Sequence, residues 1–104
     1  MEFDISAVSG IGKFETEDLV KKEKKVGKIF YAPNSKAFVV LNENKTIEVR
    51  TDKNLSDLLR EKFESVMKSR YFGNGGIEIV MSGQIPQNEI YDLVRLSYNL
   101  TTEL

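Results

Sequence analysis

Short apolar runs and period-two alternation dominate the middle of the chain and predict β-strands. In the stretch that ends at Arg50, Ile47 and Val49 alternate with Glu48, so the two aliphatic residues face a core and the charged residues face solvent. Each strand is followed by a turn-forming stretch of about four residues. The pattern predicts an antiparallel meander of three strands, at residues 28–32, 37–41 and 46–51.

An amphipathic helix is predicted after the meander, because apolar residues recur there at steps of three and four. Asp52 lies where a helix N-cap belongs. The inner-face positions are Leu55, Leu58, Leu59, Phe63, Val66 and Met67. The solvent-exposed face consists of Asp57, Arg60, Glu61 and Glu64. A short strand at 69–72, a glycine-rich turn at 73–76 and a strand at 77–81 are expected to follow.

The two ends of the chain differ in how clearly they can be interpreted. Pro86 fits the first position of a final helix. The inner face of that helix is formed by Ile90, Leu93, Val94, Ser97 and Leu100. At the front, a short helix ending near Gly10 is the best interpretation. Residues 16–25 fit either a helix capped by Thr16 or a polar strand, and residues 1–26 are the least defined.

Clustered strands, rather than strands alternating with helices, predict an α+β fold. We expect one domain over residues 1–104, with an antiparallel five-stranded sheet packed with helices in the order α-β-β-β-α-β-β-α. Helices on one side leave the other side of the sheet open. Phe30 or Tyr31, together with one face of residues 38–41, is expected there. An apolar open face would suit a protein partner or a homodimer, unless residues 1–28 cover it.

Composition removes several classes of function. The 104 residues include no His, no Cys and no Trp. An imidazole base, a thiolate nucleophile, a Cys/His zinc site and a disulfide are therefore impossible, and we expect no enzyme, cofactor or metal. The net charge of −1 gives no general affinity for nucleic acid. Without a signal peptide or a long apolar run, the expected location is the cytoplasm and no membrane partner is expected.

Lysines at turn tips are the candidate binding residues. Lys36 and Lys45 are predicted at the tips of the two hairpin turns. In a winged protein such tips contact the nucleic-acid backbone, and the predicted contacts are Lys36, Lys45, Arg50, Lys68 and Arg70. The competing interpretation is that edge and turn lysines merely block strand pairing. Residues 45–70 hold seven basic and five acidic side chains, which is a weak positive balance.

Other charged or glycine-rich stretches have ordinary structural interpretations. The lysine-rich run 21–28 is flanked by acidic residues, and residues 1–28 have no net charge, which indicates a solvated face. Residues 9–13 lack the spacing of a phosphate-binding loop. Glu89 and Asp92 lie three residues apart early in the last helix, where carboxylates interact favourably with the helix dipole.

Several motifs taken together resemble one known family. They are Gly27-Lys28-Ile29-Phe30, the apolar strand 37–41, residues 47–52 leading into Leu58-Leu59-Arg60-Glu61, residues 79–86, and Leu93-Val94-Arg95-Leu96-Ser97-Tyr98. Their order and spacing resemble the MmcQ/YjbR-like family over about residues 27–101. Residues 8–11 resemble that family's Leu-Pro-Gly-Val motif, with Ser9 in place of proline.

The resemblance implies a fold similar to that of type III secretion chaperones, also described as a double-wing arrangement. It implies no enzymatic activity, and the family's winged shape has suggested DNA binding. The chain departs from the family where the last strand begins. A tryptophan is common there, whereas this sequence reads Gly73-Asn74-Gly75-Gly76-Ile77. A binding surface that needed the tryptophan would be altered here.

Overall fold

Six strands and two α-helices make up the described part of the computed structural model, residues 3–43 and 45–104. The elements in chain order are a 3-10 turn at Ile5–Ala7, β1 (Glu15–Lys21), β2 (Lys24–Tyr31), β3 (Ala37–Asn42), β4 (Thr46–Arg50), α1 (Lys53–Lys62), β5 (Val66–Ser69), β6 (Gly73–Val80) and α2 (Gln87–Thr102). The strands form one antiparallel sheet in the order β1-β2-β3-β4-β6-β5. The prediction of an α+β fold with an antiparallel sheet is confirmed.

The sheet has six strands rather than the predicted five, because β1 joins β2 at one edge. The strand alternative for residues 16–25 is therefore correct. β1 is exposed at every position except the half-buried Leu19, so it lacks the apolar alternation that marks a buried strand. The predicted N-terminal helix is only the three-residue 3-10 turn, whose first amide donors are capped by the Asp4 side chain.

The first long helix is shorter than predicted. Asp52 caps α1 as expected, with its carboxylate accepting from the Leu55 amide at 2.8 Å. The helix ends at Lys62, because Phe63 adopts an extended conformation. Val66 and Met67 therefore belong to β5, where they pair with Ile79 and Glu78.

Two local predictions near these elements are also wrong. Leu58 is 60% exposed rather than on the inner face of α1. The glycine stretch that was predicted as a turn begins strand β6. Within that stretch only Gly73 has a positive φ. In a short segment, apolar residues spaced three or four apart therefore do not distinguish the last turn of a helix from the start of a following strand.

One face of the sheet carries both helices and the main core. α2 packs on β3 and β4, and α1 packs on β5 and β6. A bulge between β2 and β3 places both Phe38 and Val39 in this core. The buried residues of this face include Phe30, Val39, Ile47, Val49, Val66, Ile77, Ile79, Ile90 and Val94.

Ser97 attaches α2 to the sheet. Its hydroxyl donates to the Phe38 carbonyl at 2.6 Å and accepts from the Arg50 amide at 2.7 Å. The side chain is fully buried, so both bonds form away from solvent. The prediction that Ser97 lies on the inner face of the last helix is confirmed.

The other face of the sheet has a smaller apolar cluster. Ile29, Ala37 and Val40 are buried there, with Tyr31 and Phe72 packed against them. Phe30 lies on the helix side, so Tyr31 is the aromatic residue of this face. Most of the expected open face is thus covered, in part by Leu19 of β1 and in part by the connection between β5 and β6.

Candidate basic site at one end of the sheet

The two lysines predicted at hairpin tips lie at opposite ends of strand β3. Lys36 immediately precedes β3, and Lys45 lies in the turn that follows it. Five residue steps separate the first and last residues of β3, which corresponds to about 17 Å of extended chain. Because the tips lie at opposite ends, Lys36 and Lys45 do not form a single contact surface.

Arg50 is engaged inside the protein rather than presented to a ligand. Its guanidinium donates to the Ala37 carbonyl at 3.0 Å and to the Thr101 hydroxyl at 3.1 Å. The same group lies over the Phe72 ring, 4.8 Å from the ring centre. Burial lowers the pKa of Arg50 below that of a solvent-exposed arginine. These contacts give Arg50 a structural position at the junction of β4, α2 and the β5–β6 connection.

The remaining two predicted contacts lie in different surroundings. Lys68 is exposed on β5, the edge strand farthest from β1. Arg70 follows β5, and its side chain reaches across the sheet face that is opposite the helices. Together with Lys45, Arg70 lines a shallow concavity of about 320 Å³ on that face. The structure therefore brings together Lys45 and Arg70 but leaves Lys36, Arg50 and Lys68 apart from them.

The strand directions bring a further group of lysines to the same end of the sheet as Lys45. Successive antiparallel strands reverse direction, so the β1–β2 turn lies at the same end of the sheet as the β3–β4 turn. Lys21 at the end of β1 lines the same concavity as Lys45. We call this part of the molecule the basic end, which comprises Lys21, Lys22, Lys24, Lys25, Lys45 and Arg70.

The sequence interpretation missed these lysines because it treated residues 21–28 as a separate charged run. Identifying β1 as a strand is the step that places them beside Lys45. The local charge is clearly positive, since residues 21–25 hold four lysines and Glu23. Two surface ion pairs moderate it, Lys25–Asp18 at 3.4 Å and Lys45–Glu43 at 3.7 Å. Exposed pairs of this kind contribute little energy and leave the amines available to a ligand.

Two buried carboxylates support the floor of the concavity. Glu48 and Glu78 are direct cross-strand neighbours on β4 and β6, and each is only 3% exposed. Glu78 accepts two bonds from the Arg70 guanidinium, both at 2.9 Å. It also accepts a bond from Thr46, a residue of the concavity, at 2.8 Å. The carboxylate of Glu78 thus fixes the position of Arg70.

Glu48 has no direct cationic partner among the described residues. Its oxygens accept from Asn42 Nδ2 at 2.9 Å, Ser69 Oγ at 2.8 Å and the Tyr71 amide at 3.0 Å. Burial by itself raises the pKa of the Glu48 carboxyl. These hydrogen bonds and the charge of Arg70 outweigh burial, so the pKa lies below its ordinary value of 4.5. Glu48 is therefore ionised at neutral pH and holds the β5–β6 connection against the sheet.

The chemistry available at this site is electrostatic. Arg70 is 68% exposed at its side chain, and its bonds to Glu78 raise its pKa above that of a free arginine. Asn42 and Thr46 also line the concavity, and their amide and hydroxyl groups donate to Glu48 and Glu78. Across residues 3–43 and 45–104, no group of three or more acidic side chains is arranged to hold a metal ion. The arrangement suits an anion held by the lysine amines and the Arg70 guanidinium.

The glycines that replace the expected tryptophan have a packing role. A Cβ at Gly76 would lie 2.6 Å from both the Phe72 Cβ and the Val49 carbonyl oxygen. Phe72 therefore occupies the space above Gly76, and no larger residue fits at that position. The aromatic ring on this face comes from the β5–β6 connection instead of from strand β6.

The fold defines the class of protein as an α+β domain whose antiparallel sheet carries two helices on one face. A crystal structure of a Deinococcus radiodurans protein with a DUF419 domain is similar, with a TM-score of 0.76 and 14% identity over 94% of this chain and 75% of that one. A Pseudomonas syringae protein from a structural genomics consortium is similar with a TM-score of 0.67 and 19% identity, over 81% of this chain and 84% of its own. At these identities the likeness shows the fold alone.

Comparison of the sequence alone adds no relative. No protein-family model and no curated protein matches the chain. Within the described ranges, neither helix has the length and hydropathy that a membrane crossing requires.

Proposed function

We propose that the protein is a non-enzymatic binding module of the MmcQ/YjbR-like type, which binds the phosphate backbone of nucleic acid through the basic end. One observation carries the proposal. The β1–β2 and β3–β4 turns lie at the same end of the sheet, beside the exposed guanidinium of Arg70. Phosphate contacts made by lysine and arginine supply most of the affinity in sequence-independent binding.

The family assignment rests on two agreeing observations. The motifs of residues 27–101 resemble the MmcQ/YjbR-like family, and DUF419, the domain of the similar Deinococcus radiodurans protein, is the designation of that family. The element order over residues 24–102, three strands, a helix, two strands and a helix, is also the order that the resemblance implies. The departures are the added strand β1 and the missing tryptophan.

Charge asymmetry supports binding through one end of the molecule. The whole chain has a net charge of −1, although residues 21–25 are strongly positive, so the remainder is net negative. At the opposite end of the sheet, Glu15 and Glu17 surround a shallow depression beside Tyr31. A polyanion is therefore attracted to the basic end and repelled elsewhere. We expect modest affinity with a clear dependence on salt.

Fluorescence anisotropy with a labelled DNA duplex tests this proposal. The double variant Lys21→Gln/Lys45→Gln removes two amines of the concavity, and Lys36→Gln/Lys68→Gln removes two exposed amines elsewhere. Both variants have the same net charge. We expect the first pair to weaken binding severalfold at about 50 mM salt and to reduce the slope of log affinity against log salt by about 1–2. The second pair leaves both quantities close to wild type.

Three results would contradict the proposal. The first is no binding by the wild-type protein at tens of micromolar concentration and low salt. The second is binding that added salt leaves unchanged. The third is an equal effect of the two double variants, since affinity would then follow net charge rather than the basic end.

A protein partner or a second copy of the chain is the alternative occupant, at the sheet face opposite the helices. Met67 and Tyr71 are 43% and 50% exposed there, and the Tyr71 ring contacts Phe72, which packs on the apolar cluster of Ile29 and Val40. Such exposed apolar side chains are typical of interface centres. Sedimentation equilibrium tests self-association through this face. A dimer in the wild type that Met67→Lys converts to a monomer would favour this alternative, and a monomer at all concentrations argues against the homodimer.

A further inference from the structure

On the helix side of strands β1 to β3 lies a second concave site, which is separate from the concavity of the basic end. We propose that it binds a small amphipathic anion, namely a flat aromatic or short acyl group that carries one carboxylate. The cavity has a volume of about 470 Å³. Its wall combines the apolar residues Phe3, Ile5, Phe14, Phe30 and Leu41 with Thr16, the two cations Lys25 and Lys28, and the two carboxylates Asp4 and Glu43. This volume is within the range of small-molecule sites in proteins.

The cavity exists because the sheet is wider than the layer of helices. α2 packs on β3 and β4, and α1 packs on β5 and β6. Over β1 and β2 the helix side is instead crossed by the N-terminal segment that contains Phe3 and Phe14. A segment of this kind covers the strands without filling the space above them. An apolar recess therefore remains between the segment and the sheet.

Aromatic rings form the apolar walls of the recess. The Phe3 and Phe14 rings each lie 5.9 Å from the Phe30 ring, and the Phe3 contact is edge-to-face. Phe30 is buried, whereas Phe14 is 37% exposed, so one wall is fixed and the other borders solvent. Rings with such spacing offer both faces and edges to a planar aromatic group. Leu41 supplies aliphatic contact beside them.

Lys28 supplies the charge that selects an anion. It is half-buried on β2, two residues before Phe30, and therefore lies on the same side of the strand as that ring. Within residues 3–43 and 45–104, Lys28 takes part in none of the ion pairs. The attraction between a lysine amine and a ligand carboxylate is stronger beside an apolar wall than in bulk water, because the local dielectric constant is lower. Thr16, also on the cavity wall, adds a hydroxyl.

Two acidic residues, Asp4 and Glu43, also line the cavity. Glu43 pairs with Lys45 at 3.7 Å, outside the cavity. The Asp4 carboxylate accepts from the Ser6 hydroxyl at 2.6 Å and from the Ser6 amide at 3.0 Å. These bonds lower the pKa of Asp4 and hold its carboxylate against Ser6 of the 3-10 turn. Lys25 also lines the cavity and pairs with Asp18 at 3.4 Å, so Lys28 is the lining cation that takes part in none of the ion pairs of the described residues.

Titration of the whole chain with 2-naphthoate, followed by amide NMR, tests the assignment. The matched uncharged probe is 2-naphthalenemethanol. We expect the amides of Thr16, Lys28, Phe30 and Leu41 to shift, with a dissociation constant on the order of 1 mM or below for a ligand of this size. Lys28→Gln should weaken 2-naphthoate binding about three- to tenfold and leave the uncharged probe unaffected. The control Lys36→Gln should change neither affinity.

A cavity-filling variant keeps the test decisive. Thr16→Trp places an indole at the cavity wall on an exposed strand that tolerates aromatic residues, and it should abolish the shifts while the remaining amide spectrum stays folded. The proposal is overturned if 2-naphthoate shifts only residues outside the cavity, or if Lys28→Gln binds both probes like wild type. It is also overturned if sedimentation shows that a second chain fills the cavity and Thr16→Trp dissociates that dimer.

Discussion

Glu48 lies buried on the sheet face opposite the helices, where its carboxylate accepts hydrogen bonds from the Ser69 hydroxyl and the Tyr71 amide. The alternation of residues 46–51 correctly places Glu48 away from the main core. It does not reveal that Ser69 and Tyr71 cover the carboxylate, which is only 3% exposed. The covering chain comes from a connection 21 residues later, so no local pattern contains it. Buried carboxylates of this kind persist only when every oxygen is hydrogen-bonded.

Glu48→Gln should destabilise the protein by about 1–3 kcal/mol, because the new amide NH₂ faces groups that donate to the carboxylate. The neighbouring donors, Asn42 and the Tyr71 amide, then lose their ionised acceptor. Urea unfolding followed by circular dichroism measures the change. The matched control is Glu61→Gln on the exposed face of α1, which should lie within about 0.5 kcal/mol of wild type. Equal effects of the two substitutions would contradict the structural role of Glu48.

The same carboxylate predicts a specific dependence of stability on pH. The folded-state pKa of Glu48 lies below 4.5, so the ionised side chain contributes stability that is fully present above the unfolded-state pKa. That contribution is lost as the pH falls through the folded-state pKa. Wild type and Glu48→Gln should therefore differ by a constant free energy of unfolding above about pH 6, and the difference should shrink below about pH 4.5. A difference that grows on acidification would show the opposite sign.

At the scale of elements, a glycine sets how closely β2 and β3 approach. A Cβ built at Gly27 would lie 2.0 Å from the Leu41 carbonyl oxygen, so the contact is with backbone and cannot be relieved by a rotamer change. The neighbouring irregularity in the β1–β2 register, between Leu19 and Val20, lies at the same place. Gly27 thus permits the close approach of β2 to β3, beside the irregularity in the pairing of β1 with β2.

Gly27→Ala should lower the free energy of unfolding by about 3 kcal/mol, because two strands must separate to admit the methyl group. Gly75→Ala is the matched control. Its Cβ would meet nothing closer than 3.8 Å, and its φ is not positive, so its stability should lie within about 1 kcal/mol of wild type. Thermal and urea unfolding of both variants measure the difference. Equal stability of Gly27→Ala and Gly75→Ala would show that the close approach can relax.

Elements were predictable from the sequence in proportion to how many buried apolar residues they contain. β3, β4 and α2 supply much of the main core, and their positions agree with the sequence pattern to within a few residues. β1 is a polar edge strand, so only its pairing with β2 defines it. The α1–β5 boundary was missed because Val66 continues the helical spacing of Leu59 and Phe63 by coincidence. Local periodicity cannot encode a partner strand that lies elsewhere in the chain.

For the molecule as a whole, the candidate site follows from topology more than from motifs. Lys45 was predicted at a turn tip and Arg70 as a further contact of a winged protein, but the lysines of residues 21–25 lie near them only because the sheet order places β1 beside β2. Predicting that these side chains lie together requires the order and directions of the strands, which the sequence alone did not determine. The sheet extends beyond the layer of helices at strands β1 and β2. The phenylalanine-lined cavity therefore remains on the helix side of the sheet, opposite the face across which Arg70 reaches.

Stability should therefore fall across the sheet from its central strands toward the hairpin of β1 and β2. Hydrogen exchange of the whole chain measures this gradient. Amides of β4 and β6, flanked by strands on both sides and covered by helices, should exchange slowest. Paired amides of β1 should exchange much faster, since that edge strand has no buried side chain. Adding duplex DNA at low salt should slow exchange at residues 15–31 and leave α1 unchanged if the basic end binds it. Uniform protection across all strands would contradict the gradient, and slowing confined to α1 would contradict the basic end as the binding surface.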